Sequence, residues 1–209
     1  MVARMLGKPG PMQPLAWKVP QGARVEVATA NGYVADKTPD NVFALEVGKV
    51  YRFRVSNIAT LPGAEIYPTI ELIGRLNPPL GKAWEFPIKA SLPIGDIEAA
   101  LNGALITRVV FLEDAANAAN VDTSEDPERL TLDVPQGIDP VAAASTRGKP
   151  VAIIRLGSRV PDGEPNESDP FFFGLPRVEF NPNVAKAPET TEPLTPSDAQ
   201  ALSDPANVK

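Results

Sequence analysis

The chain has 209 residues, of which 43% are hydrophobic, carries a formal net charge of −6, and contains neither histidine nor cysteine. The missing residue types remove imidazole acid–base chemistry, thiolate nucleophiles, disulfides and most zinc and iron sites, while the length suits one domain with tails or two small domains. An acidic chain with no basic patch does not displace counterions from phosphates, so nucleic acid is not an expected partner; no apolar run approaches the roughly 18 residues that a membrane span needs.

Aromatic residues are only 6% of the chain, so the core should be built mainly from Val, Ile, Leu and Ala. The 24 prolines are about twice average usage. Proline breaks helices and stays out of central strands, which consigns most of them to loops, edges and extended segments. Residues 1–20 are rich in Pro and Gly, lack a period, and read as an extended arm that Trp17 could pin to the body. Arg4 and Lys8 are not followed by an apolar segment, so the start does not read as an intact secretory signal; a start already trimmed of one would read the same.

Strand signals dominate the middle of the chain. Residues 24–27 alternate. Glu46, Val47, Gly48 and Lys49 read as a turn into residues 50–55, where Tyr51, Phe53 and Val55 share one face and Arg52 and Arg54 the other. That is the pattern of a half-buried antiparallel strand. Residues 69–73 follow a turn at Pro62 and Gly63, and residues 85–92 alternate again, with Pro87 predicting an edge position because it lacks a ladder donor. Residues 96–101 predict a short helix with acidic residues in its first turn and Gly103 beyond its end. It leads into the most apolar strand, 104–112. A second helix is predicted over 139–144, with Asp139 as N-cap, Pro140 at the first position and Gly148 as the stop, leading into a strand at 151–156.

These elements predict a mainly β fold: an antiparallel two-sheet, immunoglobulin-like sandwich with two short helical connections, occupying residues 21–160 between long Pro-rich arms at 1–20 and 161–209. A doubly wound α/β fold would need longer crossover helices. The last segment, rich in Pro, Glu, Thr, Ser and Ala, is expected to be linker-like, or to order by wrapping over a neighbouring subunit.

Candidate chemistry is sparse. Ser91 near Lys89 and Ser145 near Lys149 are the only nucleophile–base pairings worth naming, and neither lies in a recognisable motif. Glu71, Glu113, Asp114 and Asp133 lie on or beside strands and could supply paired carboxylates for glycoside hydrolysis. Arg52, Arg54, Arg75, Arg108 and Arg155 are the simpler partners for them across strands. Asp122, Ser124 and Asp126 alternate oxygens as a calcium loop does, but Pro127 stands where such a loop needs glycine; no metal and no cofactor are expected. Asp162, Glu164, Glu167 and Asp169 make a second acidic loop, and Asn166 opens a formal glycosylation sequon. Trp84, Tyr67 and Trp17 are the rings expected to line a pocket if the chain binds a small molecule or carbohydrate. Phe171, Phe172 and Phe173 should not be left in water. Together with Leu175, Val178 and Phe180 they are the candidate docking residues, either covering an open edge of the sandwich or anchoring a partner, with 177–180 able to add a strand to a free edge.

Three blocks have a familiar cast: residues 48–58 with Pro62, Gly63 and 65–71; Asp96, Ile97, 101–103 and 107–114; and 137–140 with Gly148 and 151–157. Over roughly residues 45–160 the chain resembles an uncharacterised family of secreted or lipoprotein-like proteins from planctomycete bacteria. The resemblance implies export to the cell envelope or beyond and transfers no functional residue. Together with the arms and the phenylalanine run, it leads to the expectation of a non-enzymatic structural or assembly component of the envelope. Such a component would associate with copies of itself or with other envelope proteins. The alternative is an extracellular or periplasmic binding module.

Overall fold

The computed structural model describes residues 10–38, 40–113 and 127–182. Their strands are β1 (Met12–Lys18), β2 (Arg24–Thr29), β3 (Gly32–Ala35), β4 (Val42–Glu46), β5 (Val50–Ser56), β6 (Thr69–Leu72), β7 (Ile88–Ser91), β8 (Ile106–Glu113), β9 (Thr131–Asp133), β10 (Gly148–Leu156) and β11 (Val178–Phe180). Helices α1 (Ile94–Leu101) and α2 (Pro140–Ser145) precede β8 and β10. The strands form a seven-stranded sheet, β3-β2-β5-β6-β10-β8-β9, and a four-stranded sheet, β11-β4-β1-β7. No helix among the described residues is long and apolar enough to cross a membrane.

The two sheets enclose one core. Leu15, Trp17, Phe43, Leu45, Ile88 and Ala90 of the smaller sheet pack with Val25, Val27, Tyr51, Phe53, Val55, Ile70, Leu72 and Ile154 of the larger. Phe53 is central, with its ring edge-to-face against Trp17 (centroids 5.3 Å apart) and Phe43 (5.2 Å). The alternation read at residues 50–55 is realised here, since Tyr51, Phe53 and Val55 enter this core. The turn to β5 lies between sheets rather than within one: β4 belongs to the four-stranded sheet and β5 to the seven-stranded one. Gly48 makes that passage with φ at 87° and donates its N–H to Leu72 O at 2.7 Å.

The structure corrects three expectations. Residues 12–18, read as part of an extended arm, form β1 in the interior of the smaller sheet. Pro14 is tolerated there because Trp17 N–H reaches Asn41 O of the β4 side while Lys18 O faces Leu92. Alternation then turns Pro14 towards the β7 side, and β7 begins only opposite Leu15. The missing donor therefore falls where the strand has no neighbour. The smaller sheet is mixed rather than antiparallel, because β1 runs parallel to β7 and antiparallel to β4. Gly148 does not stop α2, which is capped by Thr146. It is the first residue of β10, where a Cβ would lie 2.0 Å from Leu112 O of β8. Close strand approach, not helix termination, requires glycine there. Pro87, as expected, precedes an edge strand, β7.

Two helices close the ends. Asp139 caps α2 by accepting from Val141 N (2.8 Å) and Ala142 N (3.1 Å), with Pro140 at the first position. The helix lays Ala143 and Ala144 on the outer face of β8 and β10, over Val109, Phe111 and Ile153. Ile97 and Ala100 of α1 enter the main core.

Gly148→Ala should lower stability by about 3 kcal/mol or more in urea unfolding, because the backbone of β8 must move. Gly95→Ala in α1, where an added Cβ meets nothing within 4 Å, should be neutral or stabilising by about 0.5–1 kcal/mol; equal losses at both positions would contradict the close-approach account.

Candidate functional site

After β10 the chain does not leave the body. Residues 157–180 form a strap that crosses the outer face of the larger sheet and ends as β11 on the edge of the smaller one. Asp169 accepts from Phe171 N at 2.8 Å and starts a short 3-10 turn, Pro170–Phe172. That turn buries Phe171 (4% exposed) and Phe172 (1%) against Ala28, Tyr33 and Tyr67. Burying two such rings contributes about 1.5–3 kcal/mol each. Phe171 lies edge-to-face on Tyr67 (6.1 Å), and Phe172 on Tyr33 (6.2 Å). Farther on, Val178, Glu179 and Phe180 pair with Leu45, Ala44 and Phe43. Phe180 packs its ring 5.9 Å from Phe43. The buried Tyr51 hydroxyl joins the two halves: it accepts from Glu46 N (2.7 Å) and donates to Arg177 O (2.8 Å).

The six residues expected to dock thus divide. Phe171, Phe172, Val178 and Phe180 dock on their own chain, Leu175 packs beside Phe171 and Phe172, and Phe173 remains exposed. Phe173 (φ 56°), Gly174 (75°) and Leu175 (47°) are all left-handed, a run that two side-chain-bearing residues adopt only against strain.

Under the strap lies Arg52. Its Nε donates to Phe171 O at 3.1 Å and its Nη1 to Tyr67 O at 2.5 Å. Its guanidinium carbon stands 3.9 Å from the Phe171 ring centroid and 5.3 Å from that of Phe173. Burial pushes its pKa down to about 10, and neighbouring Arg159 adds to the effect. Arg54, two residues along, is paired instead: it holds the buried Glu26 at 2.6 Å and covers the Tyr33 ring at 4.3 Å.

The other candidates scatter. Asp133 lies with Asp96 and Glu128 around Arg108, which is only 4% exposed; Asp133 is at 2.7 Å and Asp96 at 3.1 Å. Burial raises the Asp96 carboxyl above its ordinary value, against the pull of Arg108, and Asp133 and Glu128 push the same way. Glu71 pairs with Arg155 (3.2 Å) and Glu113 with Arg129 (3.2 Å), as exposed strand carboxylates do. The Ser145 hydroxyl donates to Val141 O within α2, and Ser91 is buried with its carbonyl facing Arg108. Asn166 accepts from Ser168 in a local turn. Asp114 and the stretch 122–126 lie outside the described residues, as do residues 1–9 and 183–209 of the arms; among the described residues no group of three or more acidic side chains is set to hold a metal. Trp84 and Trp17 border an open cleft of about 560 Å³ with Ala16, Lys18, Asp40 and Lys89. The Trp17 ring itself is packed in the core, and Tyr67 belongs to the strap contact. Arg52, expected to face a strand carboxylate, meets Phe171 and Tyr67 carbonyls instead, and nothing local in the sequence links residue 52 to residue 171.

Family models, curated proteins and solved structures were all compared with the chain, and none of them matches.

Arg108→Ala should cost about 1–3 kcal/mol, because the part-buried Asp96 carboxylate loses its cation while the exposed Asp133 stays in water. The Asp96 shift sets the sign with pH: a raised carboxyl favours the fold below its unfolded value and loses that contribution as pH rises through the folded one. The deficit of the variant should therefore be greatest at neutral pH and shrink towards about pH 4; a pH-independent deficit would exclude this account. Burial also raises Tyr33 and Tyr51 to about 12 and Tyr67 beyond that. These hydroxyls lend stability below their unfolded value of 10.0 that fades as pH rises through about 12. The lowered Arg52 opposes this, but one group against three. Phenolate absorbance should consequently appear together with unfolding, rather than before it.

Proposed function

We propose that this chain is a non-catalytic structural or assembly module that associates through its C-terminal strap. The observation that supports the reading is the strap itself. Two buried rings and a three-residue edge strand hold it, and an exposed, Pro- and Gly-containing stretch, 157–169, joins it to the body. Contacts of that kind are equally available from a second copy, since exchange of an identical element creates no new interface chemistry. The expected carboxylates being engaged by arginines also favours a binding role over hydrolysis. The immunoglobulin-like description of the sandwich belongs to the same reading, as do the outer parts of both arms. Placement at the bacterial cell envelope rests on the planctomycete resemblance alone.

A second reading is favoured by the open cleft beside Trp84. There the chain would bind a carbohydrate or other small molecule, the indole stacking on its apolar face and Lys18, Lys89 and Asp40 meeting its polar groups. Saturable quenching of Trp fluorescence by one member of a glycan panel, abolished in Trp84→Ala, distinguishes it.

A cysteine-free chain makes the assembly reading directly testable. Ala44 and Glu179 lie opposite each other in the β4–β11 pair, within the spacing a disulfide bridges. Ala44→Cys and Glu179→Cys chains, mixed at high concentration and oxidised, should give a covalent heterodimer in excess of either homodimer, and light scattering should report the dimer before oxidation. No heterodimer, with monomer mass throughout and closure only within an Ala44→Cys/Glu179→Cys double variant, would reject exchange.

A further inference from the structure

Five arginines stand on strands of the seven-stranded sheet, and four of them, Arg24, Arg54, Arg108 and Arg155, face a carboxylate. Arg52 does not. Among the described residues its hydrogen bonds go to two backbone carbonyls, and its Nη2 donates to no protein acceptor. Beside it, Arg159 stands 5.7 Å from the centroid of the same Phe171 ring, again with no carboxylate pair among the described residues. The one carboxylate that acts on Arg52 is Asp169, whose Oδ1 is occupied by Phe171 N. The part-buried Arg52 and the exposed Arg159 therefore stand at one aromatic ring, with Asp169 Oδ1 already engaged by the backbone. A part-buried guanidinium with a second one beside it is favoured by an anion that joins them.

The strap adds a second element. Its left-handed run at Phe173, Gly174 and Leu175 turns the exposed Phe173 ring (44% exposed) to within 5.3 Å of the Arg52 guanidinium. Strain in side-chain-bearing residues and an exposed aromatic ring both stand where the unpaired cation is.

We propose that Arg52 and Arg159 form a binding site for an oxyanion, the carboxylate or phosphate group of a small ligand whose apolar part covers Phe173. The planar fork of Arg52, fixed by its two carbonyl contacts, presents Nη2 to one oxygen, and Arg159 approaches from solvent to a second. Phe173 supplies a flat apolar wall. The site exists only with the strap docked, because Phe171 and Phe173 are strap residues; bound anion therefore holds the strap down. This inference needs no exchange between copies and stands apart from the assembly reading.

The full-length protein, in low-salt chloride buffer, is titrated separately with inorganic phosphate and with benzoate, following the arginine Nε–H resonances and the heat of binding. Saturable binding at roughly millimolar affinity or tighter, centred on the Arg52 and Arg159 signals, is expected for at least one probe. Phosphate alone identifies a phosphoryl ligand and benzoate alone a carboxylate. Arg159→Ala, a change at an exposed position, should weaken binding about tenfold with an unchanged melting temperature in the absence of ligand. Arg52→Lys, which keeps the charge but loses the fork, should weaken it similarly. Arg147→Ala, an exposed arginine at the end of α2, should leave it intact. Non-saturable shifts spread over all arginines, no response to either probe, or an equal loss in Arg147→Ala would overturn the site.

Discussion

A seven-stranded sheet has two faces, and in this chain both carry apolar side chains that water must not reach. Everything else follows from covering them. The inner face takes Tyr51, Phe53, Val55, Ile70, Leu72 and Ile154 against the smaller sheet. The outer face is apolar only towards its two ends, and a different device covers each. Over β8 and β10 the alanine side of α2 suffices, because small residues let a short helix lie close. Over β2 and β5 the cover is the strap, and bulky rings are needed because no helix is present to fill the space. The same chain segment then ends as β11, blunting the edge of β4.

Between those apolar ends, charge is arranged by burial. Arg108 is enclosed where β8, β9 and α1 meet, and three carboxylates gather on it. An enclosed cation without them would be intolerable, and with them it ties β8 to α1, to β9 and to the turn at Pro127–Leu130. Glu26 is clamped in the converse manner by Arg24 and Arg54. Arg52 is the departure from the pattern, met by carbonyls and ring faces instead of an acid. Its contacts also explain why the strap lies where it does, since each partner apart from Tyr67 O comes from the strap.

In both proposals the strap is the element that joins structure to function. It is held by a few strong local anchors, Phe171, Phe172 and the Tyr51 hydroxyl bond to Arg177 O, separated from the body by an exposed connection. A segment so held opens at the cost of these anchors and of the cover that Val178 and Phe180 give the main core, while the remaining core contacts between the two sheets stay in place. Opening is what the proposed exchange between copies requires, and an anion at the proposed Arg52 site would work against it. Because an exchanged strap would rebuild the same site, such a ligand would slow exchange without shifting its end point.

Local patterns were legible where a rule acts over a few residues. Alternation at 50–55 placed Tyr51, Phe53 and Val55 in the core, Asp139 and Pro140 announced α2, and Pro87 marked an edge. The phenylalanine run declared its need for cover, but its address was not readable, because Arg52 and Ala28 lie more than a hundred residues earlier in the chain. β1 was hidden by Pro14, which is harmless only because β7 begins one residue further on. Gly148 looked like a helix stop and is a contact with Leu112 across the sheet. The sequence by itself determined a mainly β body and its shielded and exposed strand faces, since side-chain period and turn chemistry are local. Tertiary structure alone decided that the proline-rich start joins a sheet, that residues 170–180 cover the sheets, and that Arg52 is met by carbonyls and rings instead of a paired acid, since each depends on which distant strands come to lie side by side.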